Sequence, residues 1–383
     1  MPNITTDPPL SLYIHLPWCV RKCPYCDFNS HRADKKIPQK EYVQSLIKDF
    51  EHDTDKIKGR QIESIFIGGG TPSLFSGENI AWLLNTIKSL VPITPQAEIT
   101  LEVNPGTIDQ QYFAQYHAAG VNRLSIGVQS FNDKHLTRLG RIHQHEEAAD
   151  AIKLAQNSGF NNINIDIMYA LPQQSMAEAL ADLSTAITYQ STHISWYQLT
   201  IEPNTVFYKR PPRLPNQDQV WELEQAGQQL LTQAGYQHYE VSAFSQATRE
   251  CQHNLNYWTF GDYLGIGAGA HSKITNIGNN TVTRQVKVAQ PTSYLDPEKN
   301  FISKQTSLTS TELIFEFMLN ALRLRQAIPI KLFEQRTGLA AATLTEKIQQ
   351  AVSQGLLDYN SETLRPTAYG RRFLNDLMEI FLG

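Results

Sequence analysis

No apolar run in this sequence comes near the ~20 residues that a helix needs to span a bilayer, so a protein threaded through the membrane by helices is excluded. Charge of one sign is not in excess either: 33 Lys and Arg stand against 37 Asp and Glu, for a net charge of −4. That balance gives no electrostatic case for nucleic acid or an anionic membrane as the main partner. Met1 to Leu10 has neither an Arg-rich transit pattern nor the apolar core of a signal peptide, which implies a cytoplasmic location. Cysteine is scarce. Four in 383 residues cannot build a disulfide framework. Three of them, however, fall within eight residues, and such clustering points to metal or redox chemistry in a reducing compartment.

The length suits two or three domains. From Ser11 onward, short β-rich runs alternate with amphipathic stretches. Strands are expected at Leu12–His15, Ser64–Ile67, Ile99–Val103, Arg123–Gly127, Ile163–Ile167 and Ile194–Leu199. Val43, Leu46, Ile47 and Phe50 repeat with helical spacing, as do Ala148, Ile152 and Ala155, and later Val220, Leu223 and Leu230. Thr107 with Gln110 has the form of a capping box. Six strand–helix units in a row imply an α/β fold with parallel pairing, either an open doubly wound sheet or a barrel-like one. In both, ligands bind beyond the carboxyl ends of the strands. Gly68–Thr71, Glu102, Gln129 and Asp166 all sit at or just after such ends.

Residues 1–240 would form this core. A loop-rich, aromatic extension over 241–304 would follow, containing Gly265, Gly267 and Gly269 and a polar linker from about Asn276 to Ser310. Residues 305–383 read as a small helical domain: helices near Thr311–Arg323, Ile330–Thr337 and Ala342–Gln354, a hairpin at Leu356–Pro366 and a final helix. That order is winged-helix-like. Its acidic and basic residues balance in number, so it suits packing or partner docking better than phosphate neutralisation, and no nucleic-acid partner is expected.

Cys19-Val20-Arg21-Lys22-Cys23-Pro24-Tyr25-Cys26 places three thiolates on one loop after the first strand. They can hold three irons of a cubane [4Fe–4S] cluster and leave the fourth iron open for a ligand. A structural zinc site would usually need a fourth protein ligand, and Cys251 lies far from the motif with no partner at such spacing. Gly68-Gly69-Gly70-Thr71-Pro72 follows Ile65-Phe66-Ile67. The run could be a simple strand-to-helix turn, or bare backbone that a ligand approaches closely. Glu102 has a carboxylate suited to ribose hydroxyls, or is a solvated strand terminus.

The cysteine spacing, with an aromatic residue before its last member, resembles the radical S-adenosylmethionine superfamily. The resemblance implies that S-adenosylmethionine chelates the open iron and that an electron from the cluster cleaves it to a radical. Tyr13-Ile14-His15-Leu16-Pro17-Trp18-Cys19, the glycine run, Gly127-Val128-Gln129-Ser130-Phe131 and Ile165-Asp166-Ile167-Met168-Tyr169-Ala170-Leu171-Pro172 are similar to the oxygen-independent coproporphyrinogen III oxidase family. That similarity extends over nearly the whole chain. It implies a partial (β/α)6 TIM-like barrel with a winged-helix-like C-terminal domain. It also implies contacts from Tyr13, Gly69 and Glu102 to the cluster-bound S-adenosylmethionine. Tyr25, Gly70, Thr71, Gln129, Arg141 and Asp166 match positions around a second S-adenosylmethionine in the oxidase.

Two departures speak against that oxidase reaction. The oxidase motif carries one more cysteine where this chain has Phe28, and a substantial segment precedes it, whereas here Cys19 follows only 18 residues. His253-Asn254-Leu255-Asn256-Tyr257-Trp258 instead makes the chain similar to a heme-chaperone branch of the family, implicated in binding heme and delivering it to an acceptor among respiratory enzymes. An imidazole can ligate heme iron, and Tyr257 and Trp258 offer flat apolar faces to a porphyrin. A His beside aromatics also forms plain packing clusters, and Cys251, two residues earlier, could be a soft ligand or attachment thiol but reads more readily as a plain buried cysteine.

Overall fold

The computed structural model describes residues 2–33, 36–107 and 110–382, without the side chains of Gln110 and Gln111. Six strands lie parallel in sequence order: β1 (Leu10–Leu16), β2 (Ile62–Gly69), β3 (Ile93–Val103), β4 (Arg123–Gln129), β5 (Ile163–Tyr169) and β6 (His193–Gln198). Every expected strand is present and most are longer. Their runs of Ile, Leu and Val are buried on both faces, as the interior of a parallel sheet requires. Helices Gln39–Asp53, Gly77–Leu90, His145–Asn157 and Met176–Thr188 connect them. The last is opened by a reciprocal cap between Ser175 and Glu178. A further helix starts at Gln110, but the capping box expected there lies outside the described residues.

The extension after residue 241 differs from expectation. The chain pairs β7 (Gln237–Glu240) and β8 (Ala243–Ser245) onto β6, then crosses to the opposite edge. There β9 (Asp262–Ile266) lies parallel to β1, with Tyr13 opposite Gly265. β10 (His271–Asn276) continues the sheet antiparallel, and the segment read as a polar linker contributes two further antiparallel strands, β11 (Thr281–Lys287) and β12 (Ile302–Ser307). The order is β12-β11-β10-β9-β1-β2-β3-β4-β5-β6-β8-β7, an open sheet whose two edges do not pair. The barrel is therefore partial, as expected.

The linker reading failed because the inward face of β11 is polar. Lys287 is fully buried between Asp49 (2.5 Å) and Asp53 (2.7 Å) of the first helix, and Tyr294 donates to Asp49 at 2.6 Å. Burial pushes the Asp49 carboxyl up, and the Lys287 charge partly offsets this. A buried ion cluster reads in sequence as a hydrophilic loop.

In the C-terminal part, helices Ser310–Ala321, Ile330–Thr337 and Thr345–Ser353 and a small sheet of Ile328–Pro329, Leu357–Tyr359 and Thr363–Pro366 give the helix–wing order. Their core of Leu313, Phe317, Phe333, Ile348 and Phe381 takes in Phe260 and Val282 from the main body.

Removing one partner of a buried ion cluster strands the others without compensation, at a cost of about 3–5 kcal/mol. Lys287→Ala should therefore lower unfolding stability in urea by about that much. Lys299→Ala, at an exposed pair with Asp296, should change it by less than about 1 kcal/mol.

Candidate functional site

After β1 the chain forms a two-residue ladder, Trp18 with His31 and Cys19 with Arg32. His31 N donates to Pro17 O (2.7 Å) and Ala33 N to Cys19 O (2.9 Å), so the intervening loop is pinned at both ends. Within it Cys26 N donates to Cys23 O (3.1 Å), and Lys22 Nζ donates to Phe28 O (3.0 Å). All three thiols are free and line one cavity of about 550 Å³. Arg141 bridges Cys23 Sγ (3.8 Å) and Gly127 O (2.8 Å), and Ser30 Oγ lies 3.7 Å from Cys26 Sγ. Burial pushes the Cys19 and Cys26 thiols up, so a cationic group is needed to keep them as thiolates. Among the described residues, no three His, Cys, Asp or Glu side chains are arranged to hold a single metal ion. A cluster differs, since each thiolate binds its own iron.

The glycine run is a close approach of backbone to backbone. Gly69 has φ 121°, open to glycine but not to other residues, and a Cβ there would lie 2.7 Å from the His15 ring. A Cβ on Gly70 would meet Trp18 O at 2.6 Å. Gly70 N donates to Leu16 O and Thr71 N to Trp18 O, both at 2.8 Å, while Gly69 N donates to Glu102 Oε2 at 3.0 Å. Glu102 projects from the end of β3 into the same cavity. Desolvation, followed by the charge of Asp166, raises its carboxyl to about 8. Asp166 accepts from Ser125 Oγ (2.9 Å) and Asn164 Nδ2 (2.8 Å), and burial raises it as well.

Tyr25, Gly70, Thr71, Gln129, Arg141 and Asp166 all line this cavity, so the structure brings together six residues drawn from five separate segments. Gln129 is held at φ 69° with its Oε1 accepting from Tyr197 Oη (2.6 Å). Two buried donors on the wall, Arg141 Nε and Trp258 Nε1, have no hydrogen-bond acceptor among the described residues, and Arg123 Nε stands 3.8 Å from Glu98 Oε2 in an ion pair. Free thiols beside unpaired donors and a carboxyl fit an iron–sulfur cluster with an oxygen-rich ligand. Arg323 was not foreseen. It reaches the cavity from the C-terminal part, stacking 4.2 Å over Trp258 and meeting Glu240 at 3.4 Å. No motif marks it, because its place follows from packing between distant segments.

A second cavity of about 660 Å³ shares Phe28, Gly69, Glu102 and Trp258 with the first. Tyr13 lines this cavity and not the first. Its hydroxyl donates to His15 Nδ1 (2.9 Å), because His15 Nε2 must donate to the Asn29 carbonyl (2.8 Å). Tyr257 and Trp258 also face it. His253 is not brought to either wall: it is 1% exposed, with Nδ1 3.1 Å from Ser64 Oγ and Nε2 2.9 Å from Tyr257 Oη. Burial lowers its ring to about 3 and keeps it neutral. Asn256 ties the same helix to Ser11 and to Asp262 O, both at 2.8 Å. Cys251 is a buried thiol donating to Glu98 (3.4 Å).

Comparison with known proteins places the chain. The Radical SAM superfamily profile matches residues 13–186, and that of the HemN C-terminal domain matches residues 308–373. A Haemophilus influenzae protein named heme chaperone HemW is 49% identical over 379 residues, covering 98% of each chain. The chain belongs to the HemW family. The HemW of Escherichia coli is 48% identical over 376 residues (98% and 99% covered), and that of Bacillus subtilis 34% over 382 (97% and 99%). A solved structure of the coproporphyrinogen III oxidase HemN from Escherichia coli, a radical SAM enzyme, superposes with a TM-score of 0.83. The match covers 98% of this chain and 90% of HemN at 24% identity, which establishes a common fold. Superfamily membership implies a [4Fe–4S] cluster and S-adenosylmethionine, and the cysteine loop and its cavity fit both.

Because Glu102 titrates near 8 when folded instead of at the ordinary 4.5, the folded protein keeps a proton that the unfolded chain releases. Stability without ligand therefore falls as pH rises from about 4.5 to 8. Glu102→Gln should remove that loss: its melting temperature relative to the parent should be higher at pH 8.5 than at pH 5, measured by scanning fluorimetry.

Proposed function

We propose that this protein binds heme and passes it to an acceptor protein in the cytoplasm, on a scaffold that also holds a [4Fe–4S] cluster and S-adenosylmethionine. The observation that carries this reading is the aromatic second cavity, which shares Phe28, Trp258, Gly69 and Glu102 with the cysteine cavity. Its volume falls in the range of about 300–1,000 Å³ usual for ligand pockets. The naming of full-length relatives as heme chaperones supports it.

Cys19, Cys23 and Cys26 would hold the cluster, and Arg141 beside Cys23 offsets part of their charge. The backbone at Gly69 and Glu102 would hold S-adenosylmethionine, with Tyr13 approaching from the second cavity. Tyr25, Gly70, Thr71, Gln129, Arg141 and Asp166 line the wall where a second molecule would sit. When bound, the cluster supplies single electrons and the sulfonium supplies a radical precursor. The chain's own part is to position these groups, through the Gly69 and Gly70 backbone bonds and the desolvated carboxyls. Phe28, 65% exposed on the rim of both cavities, supplies no ligand where the oxidase has a cysteine. This argues for cofactor holding without the oxidase reaction.

Anaerobically reconstituted protein should shift the Soret band of hemin saturably. With coproporphyrinogen III, S-adenosylmethionine and dithionite it should form no protoporphyrinogen at enzymatic rates. Catalytic turnover, or the absence of a saturable Soret shift, would overturn the reading. Separately, Cys23→Ala should abolish absorbance near ~400 nm from the thiolate-held cluster, checked against iron and sulfide content.

A further inference from the structure

Heme needs an axial donor as well as flat walls, and His253, the imidazole of the His-Asn-x-x-Tyr-Trp motif, is buried with both ring nitrogens engaged. The donors on the second cavity's wall can be taken in turn. Tyr13 and His15 are bonded to each other, with the far nitrogen of His15 on Asn29 O. Tyr257 is bonded to His253, and Lys273 is locked to Asp262 at 2.9 Å. Tyr263 accepts from Arg284. Of the imidazoles, phenols and amines on this wall, His271 is the exception: it is exposed, and its ring makes no hydrogen bond among the described residues, while the carboxylates there are those of Asp27 and Glu102.

The backbone also places His271 deliberately. It is the first residue of β10, directly after the alternating Gly265, Gly267 and Gly269. A Cβ on Gly265 would stand 2.1 Å from His271 O, so only glycine at 265 lets the chain carry His271 this close to β9. Gly267, at φ 103°, packs on His15 O in the same way. The glycine run thus brings an unengaged imidazole to the wall faced by Tyr257 and Trp258.

Resting on the heme-binding reading above, we propose that heme enters the second cavity with its iron on the imidazole of His271. Tyr257 and Trp258 provide the flat walls, and His253 is a positioning residue that orients the Tyr257 ring through its hydroxyl.

The test is a hemin titration of the full-length parent, His271→Ala and His253→Ala, followed by Soret and EPR spectra, with far-UV circular dichroism to verify folding. His271→Ala should lose the imidazole-ligated signature and weaken hemin binding by at least the ~10–100-fold that losing even an outer-shell partner costs a metal site. Added imidazole should restore the signature. H271C should give a distinct, thiolate-type spectrum. His253→Ala should keep the imidazole-ligated Soret position while binding hemin more weakly, because the Tyr257 ring loses its hydroxyl partner. A His271→Ala spectrum identical to the parent, or loss of imidazole ligation in His253→Ala alone, would overturn the assignment while leaving heme binding standing. A parent that does not bind hemin would instead overturn the function on which the assignment rests.

Discussion

Three backbone donors at the end of β2 govern the geometry of the whole site. Gly69 N is held by Glu102, Gly70 N by Leu16 O and Thr71 N by Trp18 O. These bonds join the ends of β1, β2 and β3 at one point, with no room for a side chain between them. The cysteine loop hangs from one side of this junction and Glu102 from the other, and both cavities use Gly69 and Glu102 as a common wall. A residue bulkier than glycine here would separate the strand ends, and the thiols, the carboxyl and the aromatic wall would lose register together.

How much of this could be read from the chain depends on the kind of signal. The six parallel strands were legible because each is an apolar run buried on both faces, and the positions at their carboxyl ends do converge on one cavity. The cysteine loop was legible from spacing alone. β10 to β12 were not, since their inward residues include Lys273 and Lys287, whose burial depends on carboxylates contributed from elsewhere in the chain. Arg323 was invisible for a related reason: nothing near it in sequence indicates that it will lie over Trp258.

The His-Asn-x-x-Tyr-Trp motif separates two meanings that a sequence pattern runs together. His253 faces inward to Ser64, and Asn256, at one of the motif's variable positions, bonds Ser11 and Asp262, so that the helix is fixed on β1, β2 and β9, while Asn254 lines the first cavity. The motif's aromatic members, Tyr257 and Trp258, are presented to the cavities. A motif can be diagnostic of a ligand because it shapes the wall, with its most reactive side chain turned away. Helical spacing makes this possible, since residues four apart such as His253 and Tyr257 share a face and can bond to one another.

The place of β1 also sets the order in which the molecule can be made. The strand that carries the cysteine loop is flanked by β2 on one side and, on the other, by β9, whose Asp262 pairs with Leu10. Asp262 is synthesised about 250 residues after Leu10, an interval of roughly 10–50 s at ribosomal rates. Throughout that time β1 has one open edge, and Asn29 still lacks the Ala268 and Ala289 carbonyls that tether the loop. The nascent chain therefore carries three free thiols on an unfinished sheet for most of its synthesis, and the loop that bears them is tethered only when the far edge of the sheet arrives.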